Sequence, residues 1–224
     1  MENKELKLLL QQYDRKGCSD MLNLNTIYNM DCMDGMKEFP DNFFDIAIVD
    51  PPYGLPAEST HHRGMLKDRI LNSDDIHEWD IAPDKEYFDE LFRVSKNQII
   101  FGGNHFDLPP TRCIVCLDKC QPWDNFSQVE IAWTSYNKPE KLFRFDNRTT
   151  KKLHPCQKPV ELYMYLLNTF AEKGMKILDT HVGSGSSLIA CKQFGCDFIG
   201  FEISERYYNI AAERLNSSLK KSLF

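Results

Sequence analysis

Short unbroken apolar runs and longer stretches of helical period take turns along this chain. The runs stand at 44–49, 97–101, 175–178 and 197–201, each bounded by polar residues or glycine, and they read as strands buried on both faces. Apolar residues recur every three or four positions at 87–94, 160–171, 187–192 and 205–219, which predicts helices. Strand alternating with helix predicts an α/β fold in a single domain over 1–224, with a mixed, mostly parallel sheet flanked by helices. A short amphipathic helix is expected at 2–12, where Leu6, Leu9 and Leu10 fall at helical spacing. The polar, aperiodic stretch 54–81 reads as a mobile loop, and 108–152, with short strand patterns between turns, as an insert.

Chemistry enters where the first of these strands stops. Asp50-Pro51-Pro52-Tyr53 follows Val49 directly, at the end that opens onto a ligand crevice in a parallel sheet. The exocyclic amine of a nucleobase is conjugated with its ring and is a poor nucleophile. Two acceptors on its N–H bonds push electron density back onto nitrogen, and the Asp50 carboxylate and the Pro51 carbonyl can be that pair. Pro51 and Pro52 stiffen the turn, so the acceptors are set before a substrate arrives. Tyr53 offers a flat face to a base drawn out of its stack. Taken alone, the four residues read equally well as a strand ending in a rigid turn that Asp50 caps.

A second constellation follows the strand at 175–178: Asp179-Thr180-His181-Val182-Gly183-Ser184-Gly185-Ser186. Gly183 and Gly185 let backbone amides approach a ligand, and a helix begins at once. The next strand ends in Glu202, roughly 20 residues past the glycines, where an acid can accept from ribose hydroxyls. The third glycine of a dinucleotide fingerprint and a second nucleotide-binding half are missing, which favours one nucleoside over NAD or FAD. His181 reads as a loop residue packed against ligand or helix rather than as a general base.

In this order the motifs resemble those of the S-adenosylmethionine-dependent DNA amino-methyltransferases, in the permuted class whose catalytic motif precedes the cofactor motif. The chain is similar in kind to the small stand-alone members common in phages and prophages. The resemblance runs over about 27–215. It includes Ile27-Tyr28-Asn29-Met30-Asp31-Cys32, the strand and turn from Ile99 to Phe106, His154-Pro155-Cys156-Gln157-Lys158-Pro159, and Phe201-Glu202-Ile203 with Tyr207. It implies a Rossmann-like methyltransferase fold with S-adenosylmethionine as cofactor. Asp31 and Cys32 would then lie at the adenine, Glu202 and Ile203 at the ribose, and Lys158 and Asp179 at the methionine end. Thr180, His181, Gly183, Ser184, Gly185 and Ser186 would line the remainder. The implied reaction is direct attack by the flipped base's amine, without a metal and without a covalent enzyme intermediate. The chain departs from the family at Thr180-His181, where Pro-Phe is usual, and around Cys113 and Cys116, where tryptophans often stand.

Length and composition agree with a well-buried core: 224 residues, 42% of them hydrophobic. Without a signal-peptide pattern or a membrane-length apolar run, the expectation is a cytoplasmic protein. The net charge of −6 sits badly with a nucleic-acid partner, but its distribution does not. Lys138, Lys141, Arg144, Arg148, Lys151 and Lys152 cluster with Phe143 and Phe145 between the two motifs, as candidates for contact with double-stranded DNA. Eight cysteines raise a zinc site at Cys113, Cys116 and Cys120, which lacks a second matching pair, and a disulfide framework; small buried apolar roles explain them more simply. The adjacent His61 and His62 read as part of a solvated loop.

Motifs that begin with Asp, as here, more often act on adenine N6 within the family, and a leading Ser on cytosine N4. Adenine N6 is therefore the expectation, with N4-cytosine methylation as the alternative. An RNA or protein amine methyltransferase is disfavoured by the motif order, and a decayed DNA-binding module by the intact Asp50 to Tyr53. The recognition sequence, a homodimer and a partner nuclease all stay open at this level.

Overall fold

The computed structural model describes residues 22–54, 81–121, 127–146 and 157–220. The expected helix at 2–12 and the stretch 55–80, with His61 and His62, lie outside the described residues. Within them the strands are β1 (Thr26–Tyr28), β2 (Phe44–Val49), β3 (Ser95–Phe101), β4 (Ile114–Asp118), β5 (Val129–Thr134), β6 (Lys141–Arg144), β7 (Lys176–Asp179) and β8 (Asp197–Phe201). They form a single sheet in the order β1-β8-β7-β2-β3-β5-β4-β6. Only β5 runs antiparallel to its two neighbours, β3 and β4; the other pairings are parallel. The sheet is thus mixed and mostly parallel, as the strand pattern predicts. The described residues of 108–152 are built into it, supplying β4, β5 and β6.

Period-two alternation divides the core in two. Ile46, Ile48, Ile99 and Phe101 point to one face, where they meet α3 (Val160–Phe170), α4 (Ser186–Phe194) and α5 (Glu205–Lys220). Ala47, Val49 and Ile100 point to the other, against α1 (Cys32–Lys37) and α2 (Lys85–Val94). The α2 helix begins two residues before the apolar period, because Asp84 caps it by accepting from Tyr87 N at 3.1 Å. The α1 helix was not expected from period. Gly35 inside it costs helix propensity but is needed: a Cβ there would lie 2.3 Å from the Phe201 ring.

Position in the sheet fixes the site. β7 and β2 are parallel neighbours, yet the helix after β7 lies on one face and the helix after β2 on the other. Chains diverging in opposite directions leave a crevice at the carboxyl ends of these two strands. Asp50 and the Asp179 loop open onto it. Gly54, at φ +63°, lies so close to Ala82 that a Cβ on it would come within 2.9 Å of the alanine Cβ. Among the described residues no helix is long and apolar enough to cross a membrane.

Candidate active site

One wall of the crevice comes from β7, α4 and β8. The Asp179 carboxylate is buried, accepting from His181 N at 3.0 Å and from the Ser187 hydroxyl. Burial pushes its pKa up to about 7. Gly183 and Gly185 take positive φ, +52° and +81°, which turns the chain into α4. Arg214 of α5 donates to the Ser184 carbonyl and braces this turn. The Glu202 carboxylate spans the next gap, accepting from Gly183 N at 2.7 Å and Ser204 N at 2.9 Å. Ile203 beside it is 67% exposed, an apolar shelf on a polar rim. Asp31, at the start of α1, caps that helix by accepting from Met33 N at 2.7 Å, and Asn29 ties β1 to the Glu202 and Ile203 carbonyls. The Cys32 thiol, largely buried beside Asp31, is pushed up to about 12 and stays neutral.

This wall fits a nucleoside. A fixed acid with lone pairs to spare beside an exposed aliphatic surface suits ribose hydroxyls and a flat base. Thr180 and His181 fill their place through a separate bond pattern. The Thr180 hydroxyl lies 2.7 Å from Tyr87 Oη and 2.9 Å from His181 Nδ1, and the imidazole meets the Tyr87 ring edge-on. Removal from water holds His181 down at about 4, which makes it a weak base.

The opposite wall is a knot of charge around Asp50. Its Oδ1 accepts from the Tyr53 hydroxyl at 2.8 Å, and its Oδ2 pairs with Lys158 Nζ at 2.5 Å. Lys158 also pairs with Glu130 Oε1 at 2.8 Å and lies 4.4 Å from the centre of the Phe101 ring. Glu130 accepts from the Tyr53 hydroxyl at 3.0 Å and pairs with Lys119 at 3.2 Å. Burial opposes its charge, but Lys158 and Lys119 prevail and hold its carboxyl down to about 2. Burial raises Asp50, against the pull of Lys158 and with the push of Glu130. The Tyr53 ring stacks on the exposed His105 at 5.0 Å and 17°, and abuts Gly102, where a Cβ would lie 2.2 Å from the ring.

Sequence reasoning thus placed Asp50 and Tyr53 together but missed Glu130, Lys119 and His105. A carboxylate set in the apolar alternation Val129-Glu130-Ile131-Ala132-Trp133 was the available signal for Glu130. Lys158, expected near the methionine end, stands against Asp50 in the same crevice. Of the basic candidates, Arg144 ends the outermost strand, β6, paired with Asp118 at 3.1 Å, and Lys141 starts the same strand. Lys138 lies before the start of that strand: its ammonium rests on the Tyr136 and Phe170 rings, 3.3 Å from the Thr169 carbonyl. Arg148, Lys151, Lys152 and the His154-Pro155-Cys156 segment lie outside the described residues. Cys113 and Cys116 fall on opposite sides of their strand, Cys113 buried with its thiol toward the Pro139 carbonyl.

A glycine turn and ribose-type acid stand on one side of the switch point and Asp50-Pro51-Pro52-Tyr53 on the other, in a fold shared with Rossmann-like methyltransferases. Residues 124–213 match the N6_N4_Mtase family, described as DNA methylase. The chain is similar to the type II methyltransferase M2.MboI of Moraxella bovis, 24% identical, with 92% of this chain and 94% of that one covered. It shares its fold with M1.HpyAVI, solved in complex with SAM, at TM-score 0.56 and 19% identity over 85% of this chain and 98% of that one. The cytosine-N4-specific PvuII DNA methyltransferase shares it too, at TM-score 0.58 and 12% identity over 88% and 91%. The chain thus carries a DNA methylase match over residues 124–213 and shares its overall fold with solved DNA methyltransferases.

Proposed function

We propose that the chain methylates adenine N6 in duplex DNA. The reading is carried by the place of Asp50, a desolvated carboxylate at the tip of β2, in the crevice it shares with the Asp179–Gly185 turn. S-adenosylmethionine, when bound, supplies a methyl group made electrophilic by its sulfonium. Glu202 accepts from the ribose hydroxyls with Ile203 beside it, and Asp31 faces the edge of the adenine. Asp50 and the Pro51 carbonyl accept the two N–H bonds of the target amine and aim its lone pair at that methyl. As the new N–C bond forms, the nitrogen becomes acidic and sheds a proton to Asp50, so no strong base is required. The target base lies on Tyr53 in place of the His105 imidazole, which already stacks on that ring as a base would.

An aspartate at the head of the motif supports adenine over cytosine. The test is incubation with labelled S-adenosylmethionine and unmethylated DNA, then mass spectrometry of the nucleosides. N6-methyladenine is expected, and N4-methylcytosine would reverse the choice of base. Asp50→Asn, which keeps the shape, should slow transfer by on the order of 10²–10⁴ while cofactor binding persists. A variant as fast as the parent would remove Asp50 from the reaction.

A further inference from the structure

Lys158 poses a problem for Asp50. A carboxylate that has to accept from an incoming amine is already paired, at 2.5 Å, with an ammonium whose side chain is 7% exposed. A neutralised carboxylate is a poorer acceptor. A buried cation that loses its only counterion is costly, so Lys158 could not simply be abandoned. The structure supplies a second counterion that no part of the reaction above uses. Glu130 lies 2.8 Å from the same Nζ, is itself 16% exposed, and shares the Tyr53 hydroxyl with Asp50. Its other oxygen pairs with Lys119. Two carboxylates and two ammoniums sum to zero charge, so the knot stays neutral overall while its parts shift.

We propose that Glu130 is a positioning residue: it takes up the ammonium of Lys158 and the hydroxyl of Tyr53, freeing Asp50 to accept from the target amine. The inference rests on the functional reading above. The ammonium already touches both carboxylates, so its weight passes from Asp50 to Glu130 by a small torsion at the end of the lysine. The Phe101 ring, against the same ammonium, keeps it over β3 during that exchange. Glu130 acts as a counterion and not as a proton acceptor, because two lysines hold it ionised. Its strand makes the arrangement rigid. Glu130 sits opposite Leu117, and Ala132, two residues on, sits opposite Phe101, so the hairpin of β4 and β5 carries Lys119 and Glu130 to the crevice together.

The experiment compares the parent with Glu130→Gln, Lys158→Met and the charge-balanced pair Glu130→Gln with Lys119→Met. The pair serves if the single glutamine variant fails to fold. Two readouts are taken: the carbon-13 titration of the Asp50 carboxyl, assigned with Asp50→Asn, and the single-turnover rate of methyl transfer against pH. Without Glu130, Lys158 pairs with Asp50 alone and the repulsion between the carboxylates is gone. Asp50 should therefore titrate at lower pH, and the acid limb of the rate profile should move down with it. Lys158→Met should move both the other way. The transfer rate in Glu130→Gln should fall at least about tenfold, the weight of one positioned hydrogen bond. Cofactor affinity, read by calorimetry, should hold. A slower variant whose Asp50 titration has not moved would reduce Glu130 to a structural part and overturn the proposal, as would an unchanged rate. If the parent chain methylates nothing, the functional reading fails by itself. The Asp50 titration then still decides whether Glu130 shares Lys158, and an unmoved titration overturns that as well.

Discussion

Asp179 and His181 are near neighbours whose burial pulls on stability in opposite senses. Asp179 binds its proton more tightly in the fold, at about 7 against an ordinary 3.8, so its contribution to stability is lost as pH rises through that interval. His181 binds its proton less tightly, at about 4 against 6.5, so its contribution is lost as pH falls through that interval. Between pH 4 and 6.5 the two slopes offset each other. Asp179→Asn should remove one of them, and its stability relative to the parent should grow from about pH 4 to about pH 7 and then level off. Urea midpoints at a series of pH values check this; a constant difference would mean that Asp179 is not carrying the strain. Both residues were visible in the sequence as parts of a glycine loop. Their ionisation was not, because it depends on Ser187, Tyr87 and Thr180 closing over them. Glu130 and Lys119 were less legible still. They join the Asp50 cluster only through the pairing of β3, β5 and β4, and nothing in their sequence spacing from Asp50 points there.

Among the elements, those buried on both faces were the easiest to read. β2, β3, β7 and β8 stand as apolar runs, and the amphipathic α2, α3 and α5 show their period, with ends that differ from the expected ones by two residues or fewer. Short or compromised elements were not legible. β1 has three residues, α1 carries a glycine demanded by Phe201, and the role of β5 as the reversed strand depends on its partners. The turn after β3 shows how tightly an element can serve the site. Gly102 takes φ +66° directly beneath the Tyr53 ring. Gly102→Ala should cost about 1–3 kcal/mol by overpacking and strain. It should also slow transfer by displacing Tyr53 from Asp50. Chemical denaturation and single-turnover assays would register both; a stable, fully active variant would show that Gly102 does not set the ring.

For the molecule as a whole, a parallel sheet with helices on both faces followed from the alternation of patterns, but the order of strands did not. β7 enters between β8 and β2 although β6, the strand before it in the chain, stands at the far edge of the sheet. The same distribution sorts the basic residues. Lys138 faces away from the crevice, so Lys138→Gln should leave DNA affinity unchanged. Lys151→Gln with Lys152→Gln should weaken it, and should lower the slope of log affinity against log salt by about 0.9 for each phosphate no longer neutralised. Fluorescence anisotropy across a salt series reads both outcomes; a large effect at Lys138, with none at the pair, would move the DNA to the other end of the strands.

Gly54 and Ala82 stand so close that a single added Cβ would crowd them, so two described stretches of the chain end side by side next to the Asp50–Tyr53 turn. Ends this near together are cheap to join by chains of very different length. Each doubling of a flexible connection costs only about 0.6 kcal/mol in closure entropy. Extra residues inserted between these two anchors should therefore leave the melting temperature of the sheet nearly where it was.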